Sequence, residues 1–298
     1  MIMKISNKKP AILYHYTTMS ALYSIINGID NSDNSMVDSE RNFILYASNY
    51  LYANDPSECD FSSQCILKAL QQYEQNMGLE PKASVMFEKL YLENKDLLGE
   101  PCILSFSEEK DDLSMWRMYG ANGQGVAIGI EVAALNEYGR DSKFVKCEYY
   151  EENAVIENYL RDKGMSGMHD VLVTLKDKIN CIDNFDIKLV PLELLSELYN
   201  IIYNARIRAK QMHYYVENEW RLTFNTKSNE YKFREKDGLI IPYIPIDFKV
   251  KHLKEIIIGP CANKELALIS CRKFLESKIG IFSETISVLP SCVPYVIR

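Results

Sequence analysis

The chain has 298 residues, 47% of them hydrophobic, and a formal net charge of −7. That is enough apolar sequence to bury a sizeable core in one large domain or two modest ones. The acidic balance speaks against a general nucleic-acid or membrane-surface binder, although it leaves room for a local basic patch.

In chain order, ILYHYT at 12–17 predicts a strand, and 20–27 a short helix that Gly28 ends. The Asn-, Asp- and Ser-rich stretch 31–39 predicts a loop, and 43–48 a second strand. ANDPSE at 53–58 predicts a turn, because Asp-Pro favours one. The pattern over 61–95 is helical with a break at Gly78 and Pro81, and 103–107 is a short strand. DDLSMWRMYG predicts a short helix with an Asp cap and a Gly stop. Strands follow at 126–131 and 144–150. A mostly helical block covers 154–213, interrupted at 164–167 and near Pro191. NEWRLTF alternates as a strand, and 240–246 and 255–258 are further strands. Asn263 is expected to cap a helix to about 278, and 285–289 to form a last strand.

There is no internal repeat, and strand and helix do not alternate regularly, so a doubly wound parallel sheet is not expected. The expectation is an α+β fold, a single domain over 1–298 with helical insertions over about 61–100 and 154–213. The eight cysteines include no Cys-x-x-Cys pair, which argues against a zinc ribbon. The opening MIMKISNKKP lacks the apolar stretch of a signal peptide, and no segment is apolar enough over a spanning length. A soluble cytoplasmic protein with reduced thiols and no membrane association is expected.

Two strands carry unusual chemistry. Side chains alternate faces, so His15 and Thr17 share a face with Leu13, while Tyr14 and Tyr16 share the other with Ile12. His15 and Thr17 can therefore address one ligand, or His15 is satisfied locally beside a turn. In NEWRLTF, Trp220, Leu222 and Phe224 form a core face. The opposite face carries Glu219, Arg221 and Thr223, with Glu217 one step back; it is either a solvated Glu–Arg face or a carboxylate aimed into a cleft and held by Arg221. Tyr46 shares a face with Ile44 and Ser48 and either stacks on a flat ring or fills the core.

These residues, in this order, resemble the ADP-ribosyltransferase superfamily of the His-Tyr-Glu type. The chain also resembles a bacterial family known as domain of unknown function 2971. That likeness rests on LYHYTT, ANDPSE, CILSFSEEKDDLSMWRMYGANGQGVAIGI, ENEWRLTF and IIIGP. The superfamily resemblance implies a split β-sheet core and NAD as substrate, with no metal. By that resemblance His15 bonds the adenosine ribose, Tyr46 stacks on nicotinamide, and Glu219 bonds the 2′-hydroxyl of the nicotinamide ribose. It implies loss of nicotinamide through an oxocarbenium-like state, then attack on the ribose by a protein, nucleic-acid or water acceptor; with water the enzyme is an NAD glycohydrolase. It further implies a toxin or anti-phage (antiviral defence) role, with an antitoxin or regulatory partner. Two departures stand out. Tyr16 replaces a Gly common after the histidine, leaving its backbone to meet the amide. Glu217 and Glu219 form the E-x-E of arginine-modifying relatives, whose first strand carries Arg, so the target type stays open.

Around Trp116, Arg117 and Tyr119 the expectation is divided. Either the Trp packs in the core before a hairpin turn, or the stretch walls the cleft, with an aromatic stacking and Arg117 near a phosphate. Gly120, Gly123 and Gly125 do not make a phosphate loop. Asn54 and Glu58 either sit in a plain turn or brace the site. ARIRAKQMHYY reads as a solvated basic helix face, or as a steering patch for nucleotide. Two competing functions are a non-catalytic nucleotide- or partner-binding module and, last, a magnesium nuclease using Asp55, Glu58 and Glu219. The four histidines lack metal-ligand spacing.

Overall fold

The computed structural model describes residues 10–30, 36–55, 57, 59–93, 100–136, 138, 142–154, 168–180, 190–226, 230–236, 238–261 and 263–295. The fold is α+β, built on one large mixed sheet and two hydrophobic cores. Strand β1 is Ile12–Thr17, β2 Asn42–Asn49, β3 Glu100–Ser107 and β4 Val126–Glu131. Strand β5 is Ser142–Lys146 and β6 Glu148–Tyr150; the expected single strand over 144–150 divides at Cys147. Later come β7 Ala209–Gln211, β8 Glu219–Thr226, β9 Lys232–Lys236, β10 Leu239–Lys249, β11 Leu253–Ile258 and β12 Ser287–Pro290.

The sheet runs β12-β11-β4-β1-β3-β2-β10-β9, with β8 paired to β3 and β5 to β8. The pairing around β3 creates the functional geometry. Strand β8 follows β3 along its whole length, from Glu100↔Thr226 to Ser107↔Glu219. The other edge of β3 is shared: β2 meets it at Cys102 and Ile103, and β1 only at Ser107. Between those points no second strand among the described residues pairs with β3, so β1 and β2 part and the sheet divides into two limbs.

Helix α1 (Met19–Asn27) starts directly after β1, where the Thr18 hydroxyl accepts from the Ala21 amide at 3.0 Å, a standard N-cap. Its buried Leu22 and Ile26 pack on the sheet core with Leu13, Phe43, Leu45 and Ile128. Further along lie α2 (Phe61–Asn76), α3 (Ala83–Glu88), the short α4 (Leu113–Met118) and a turn of helix α5 (Val132–Leu135). Helices α6 (Met168–Asn180), α7 (Leu192–Arg208) and α8 (Lys264–Ile279) complete the set. Cys271, Leu275 and Ile279 of α8 join the sheet core.

Both expected helical blocks build one second core. Ile66 and Leu70 of α2 and Phe87 of α3 join Leu172 and Leu175 of α6 and Leu198 and Ile202 of α7, all fully buried. The break between α2 and α3 falls where Gly78 adopts φ 62°, a left-handed turn that glycine enters without steric cost. Buried Glu74 reaches across it and accepts from the Ala83 amide at 2.6 Å, capping α3 from the preceding helix. Asn263 does precede α8, but its side chain makes no cap hydrogen bond.

No described helix is long and apolar enough to cross a membrane. Among the described residues, cysteines 59, 65, 102, 147, 261, 271 and 292 form no disulfide.

Candidate functional site

A cleft of about 730 Å³ lies where the sheet divides, within the usual range for small-molecule sites. It is lined by β1, β2 and β3, the first turns of α1, Tyr119, Lys210, Glu217, Glu219 and part of β9. The division explains His15. Its Nδ1 lies 2.9 Å from the carbonyl oxygen of Ser105, on the stretch of β3 that lacks a strand on this side. A carbonyl only accepts, so Nδ1 carries the proton and Nε2 is the acceptor of the neutral ring. Burial lowers the imidazole pKa below its ordinary value; the Ser105 carbonyl opposes this and the Arg234 charge adds to it.

Beside His15 the two tyrosines border the cleft but bury their rings on the other face of β1, as their alternation predicts. Tyr14 and Tyr16 join Met115, Trp116, Ala127 and Ile257 in a small cluster. The Tyr16 hydroxyl donates to the Glu109 carbonyl at 2.8 Å and accepts from the Asp112 amide at 3.3 Å. Trp116 is fully buried, edge-on to Tyr16 at 4.8 Å, and its Nε1 donates to Asp111 at 2.7 Å. Asp111 also accepts from the Ser291 hydroxyl (2.6 Å) and the Cys292 amide (2.6 Å), so this aspartate locks the C-terminal segment. Asp112 is the cap, accepting from the Ser114 and Met115 amides. Trp116 and the exposed Arg117 therefore stand outside the cleft lining, contrary to the cleft-wall expectation; Tyr119 alone of the three lines it. Gly125 in the following turn has a packing role: a Cβ there would sit 2.1 Å from the Thr17 carbonyl oxygen, so only glycine lets this turn close on the end of β1.

The acidic end of the cleft is built on β8. Glu217 ends a 3₁₀ turn (Met212–Glu217), not the strand, and Asn218 takes a left-handed conformation (φ 40°) before β8 begins. Asn tolerates that conformation better than most residues. The bend brings both carboxylates onto Lys210 of β7: its Nζ lies 2.6 Å from Glu217 Oε2 and 3.0 Å from Glu219 Oε2. Arg221 Nη2 adds a second cation to Glu219 Oε2 at 3.0 Å. Tyr119 donates to Glu217 Oε1 at 2.7 Å, and the Tyr149 hydroxyl accepts from the Glu219 amide at 2.8 Å.

These groups lie far from water. Glu217, Glu219, Lys210 and Arg221 are 2%, 5%, 4% and 0% exposed, so the solvated Glu–Arg face is overturned. Arg221 lies beneath Glu219 and is absent from the cleft lining, so it holds the carboxylate and cannot itself meet a ligand there. Burial acts against ionisation of both acids, but the outcomes diverge. At Glu219 the Arg221 and Lys210 charges together outweigh burial and hold its pKa well below the carboxylate range. At Glu217 burial, with repulsion from Glu219, outweighs Lys210 and raises it. Two carboxylates with pKa values pushed apart are suited to different roles.

The other end lies on β2, β9 and β10. Tyr46 is 41% exposed and packs tilted against Tyr243, with ring centroids 4.2 Å apart and ring planes 34° from parallel. Ser48 accepts from Arg234 Nη2 at 2.9 Å. Asn54 and Asp55 also line the cleft, but Asp55 is committed to a turn, accepting from the Ser57 amide (2.8 Å) and hydroxyl (2.7 Å). Glu58 lies outside the described residues, and no cluster of three metal-ligating side chains occurs among the described residues.

Sequence reasoning missed Lys210 and Arg234. Lys210 hid in ARIRAKQMHYY, where a solvated helix was expected. Instead α7 ends at Arg208, and Arg206 and Lys210 are buried. The apolar residues between the charges (Ile207 and Ala209) were the available signal. Arg234 hid in β9, whose KFREK sequence is too charged to read as a strand.

Residues 115–222 match the model of a family described as "Protein of unknown function (DUF2971)". The match covers less than half of the chain; it includes Tyr119, Lys210, Glu217, Glu219 and Arg221, and leaves out His15, Tyr46 and Arg234. No curated protein and no solved structure matches the chain.

Proposed function

We propose that the cleft binds NAD and that the protein is an ADP-ribosyltransferase, cleaving the nicotinamide–ribose bond and passing ADP-ribose to a protein or nucleic-acid acceptor. With water as acceptor it is an NAD glycohydrolase. The observation that carries this reading is that His15, Tyr46 and Glu219, from three elements far apart in sequence, all line one cleft at a division of the sheet. A divided sheet is also what the ADP-ribosyltransferase resemblance implies.

Each residue then has a task its geometry suits. His15 Nε2, as acceptor, receives a hydrogen bond from a hydroxyl of the adenosine ribose. The exposed Tyr46 ring offers a stacking face for nicotinamide. In the reaction the C1′–N bond breaks, nicotinamide leaves with the bonding pair, and positive charge develops on the ribose. Glu219, held ionised by Arg221 and Lys210, accepts from the ribose 2′-hydroxyl and stabilises that charge. The nucleophile bonds to C1′ and loses its proton; Glu217, with its raised pKa, is the base at hand. The Tyr16 backbone meets the amide.

A second reading, a non-catalytic nucleotide- or partner-binding module, draws on one observation. Lys210 bridges both glutamates, so their charge is already met inside the protein. Glu219→Gln separates the two: an enzyme loses nicotinamide release, whereas a binding module keeps its ligand.

A further inference from the structure

Arg234 is a cleft cation that stands outside the network around Glu217 and Glu219. It lines the cleft from β9, the edge strand of the second limb. Its guanidinium lies against an aromatic pair, with Cζ 5.5 Å from the Tyr46 ring centre and 5.8 Å from that of Tyr243. Nη2 donates to Ser48 Oγ at 2.9 Å. Nε is buried and has no hydrogen-bond partner. Among the described residues no carboxylate pairs with it, and neighbouring Glu235 is turned to the Gly238 amide at 3.1 Å.

This arrangement is unusual on energetic grounds. A guanidinium has five N–H donors, and this half-buried one has only the Ser48 hydroxyl and two ring faces, with no anion, to set against its desolvation. The two rings and Ser48 hold the guanidinium in place, which lowers the ordering cost of binding a ligand. A planar fork with free donors matches the oxygens of a phosphate. The cleft carboxylates are no substitute, because Lys210 and Arg221 hold them at the other end.

We propose that Arg234, oriented by Ser48 and the Tyr46–Tyr243 pair, is a phosphate-recognition subsite of this cleft, taking the phosphate or pyrophosphate of a nucleotide. The choice of phosphate over other anions rests on the nucleotide reading above. It does not depend on bond cleavage.

The test is calorimetric titration of the full chain with ADP, adenosine, inorganic pyrophosphate and succinate. Wild type, Arg234→Gln, Arg234→Lys and Glu219→Gln are compared. The expected result is that ADP binds wild type and weakens by roughly tenfold to a hundredfold in Arg234→Gln, the range for losing a charge-assisted hydrogen bond. Arg234→Lys should fall between, because it keeps the charge and loses the fork. Adenosine should bind wild type and both Arg234 variants alike. Pyrophosphate binding that also depends on Arg234 assigns the subsite to the phosphates themselves; ADP binding alone assigns it to a whole nucleotide. Equal ADP affinity in wild type and both Arg234 variants overturns the proposal, as does no binding of either phosphate compound, or a preference for succinate. If Arg234→Gln does not fold, the Arg234→Lys comparison decides. Arg234-dependent ADP binding without NAD turnover would fell the transferase reading and leave this subsite standing. Turnover with Arg234-independent binding would do the reverse.

Discussion

The two ends of the cleft follow opposite electrostatic plans. At the β8 end, Lys210 pairs with both Glu217 and Glu219 and Arg221 pairs with Glu219, all four groups 5% exposed or less, and no charge of the four is left over. On β9, Arg234 is held by neutral groups alone and keeps a buried N–H without an acceptor. A closed network of this kind is rigid and costly to break, since each buried ion depends on its partners. An open cation adds little to stability and is instead available to a ligand. The difference separates a part of the site that must be prearranged before chemistry from a part that is completed only on binding.

The sharpest way to break the comparison is to remove one member of the closed end. Arg221→Met leaves Glu219 buried with Lys210 alone, and should destabilise the fold by about 3–5 kcal/mol. Urea unfolding checks this; a loss under 1 kcal/mol would mean the network is not closed as described. Lys210→Met should act in the same direction and add a pH signature. Without Lys210 the pKa of Glu217 rises further above its ordinary range, so the variant should regain stability as pH falls, because the folded state then binds more protons than the unfolded one. Unfolding curves at pH 5 and pH 8 would show it.

His15 gives the opposite slope. Its folded pKa lies below the ordinary value of 6.5, so on acidification the unfolded state takes up the proton first. Its contribution is therefore complete above about pH 6.5 and is lost as pH falls from there, by less than about 1.4 kcal/mol per pH unit, the one-proton limit. The wild type should lose more stability than His15→Gln between pH 7.5 and 5.5. Parallel curves would remove the buried neutral imidazole from the account. The smallest effect belongs to the open end: Arg234→Gln should change stability by less than about 1 kcal/mol in either direction, because the arginine has no internal counter-charge to lose. A thermal melt is sufficient, and a large loss would mean Arg234 is a structural ion after all.

How much of this was legible in the sequence depended on how local the cause was. Strands β1 and β4 fall at their expected bounds because each lies mid-sheet with a strong apolar pattern, as in Val126–Glu131. The Asp112 cap is a contact between neighbours in sequence, and it too was readable. The division of the sheet was not readable from spacing, because it depends on which partner takes each part of one edge of β3. The residues of NEWRLTF announced a charged face, but whether water or protein covers that face is decided by β7, at the far end of a helical block. At Trp116 the sequence allows either core packing or a ligand wall, and the ring packs in the core. It is held by Asp111, which also ties down Ser291 and Cys292 almost two hundred residues later, a contact beyond the reach of any local pattern.

The most direct measurement is nicotinamide release from NAD by the purified protein, with and without cell lysate, comparing wild type with Glu219→Gln. The account predicts release by wild type and a loss of roughly a hundredfold to a thousandfold in Glu219→Gln, the scale of removing one preorganised transition-state contact. Release without lysate assigns water as acceptor, and release only with lysate assigns a macromolecular one. Equal release by both proteins would contradict the role of Glu219, and no release in either condition would contradict the enzyme itself.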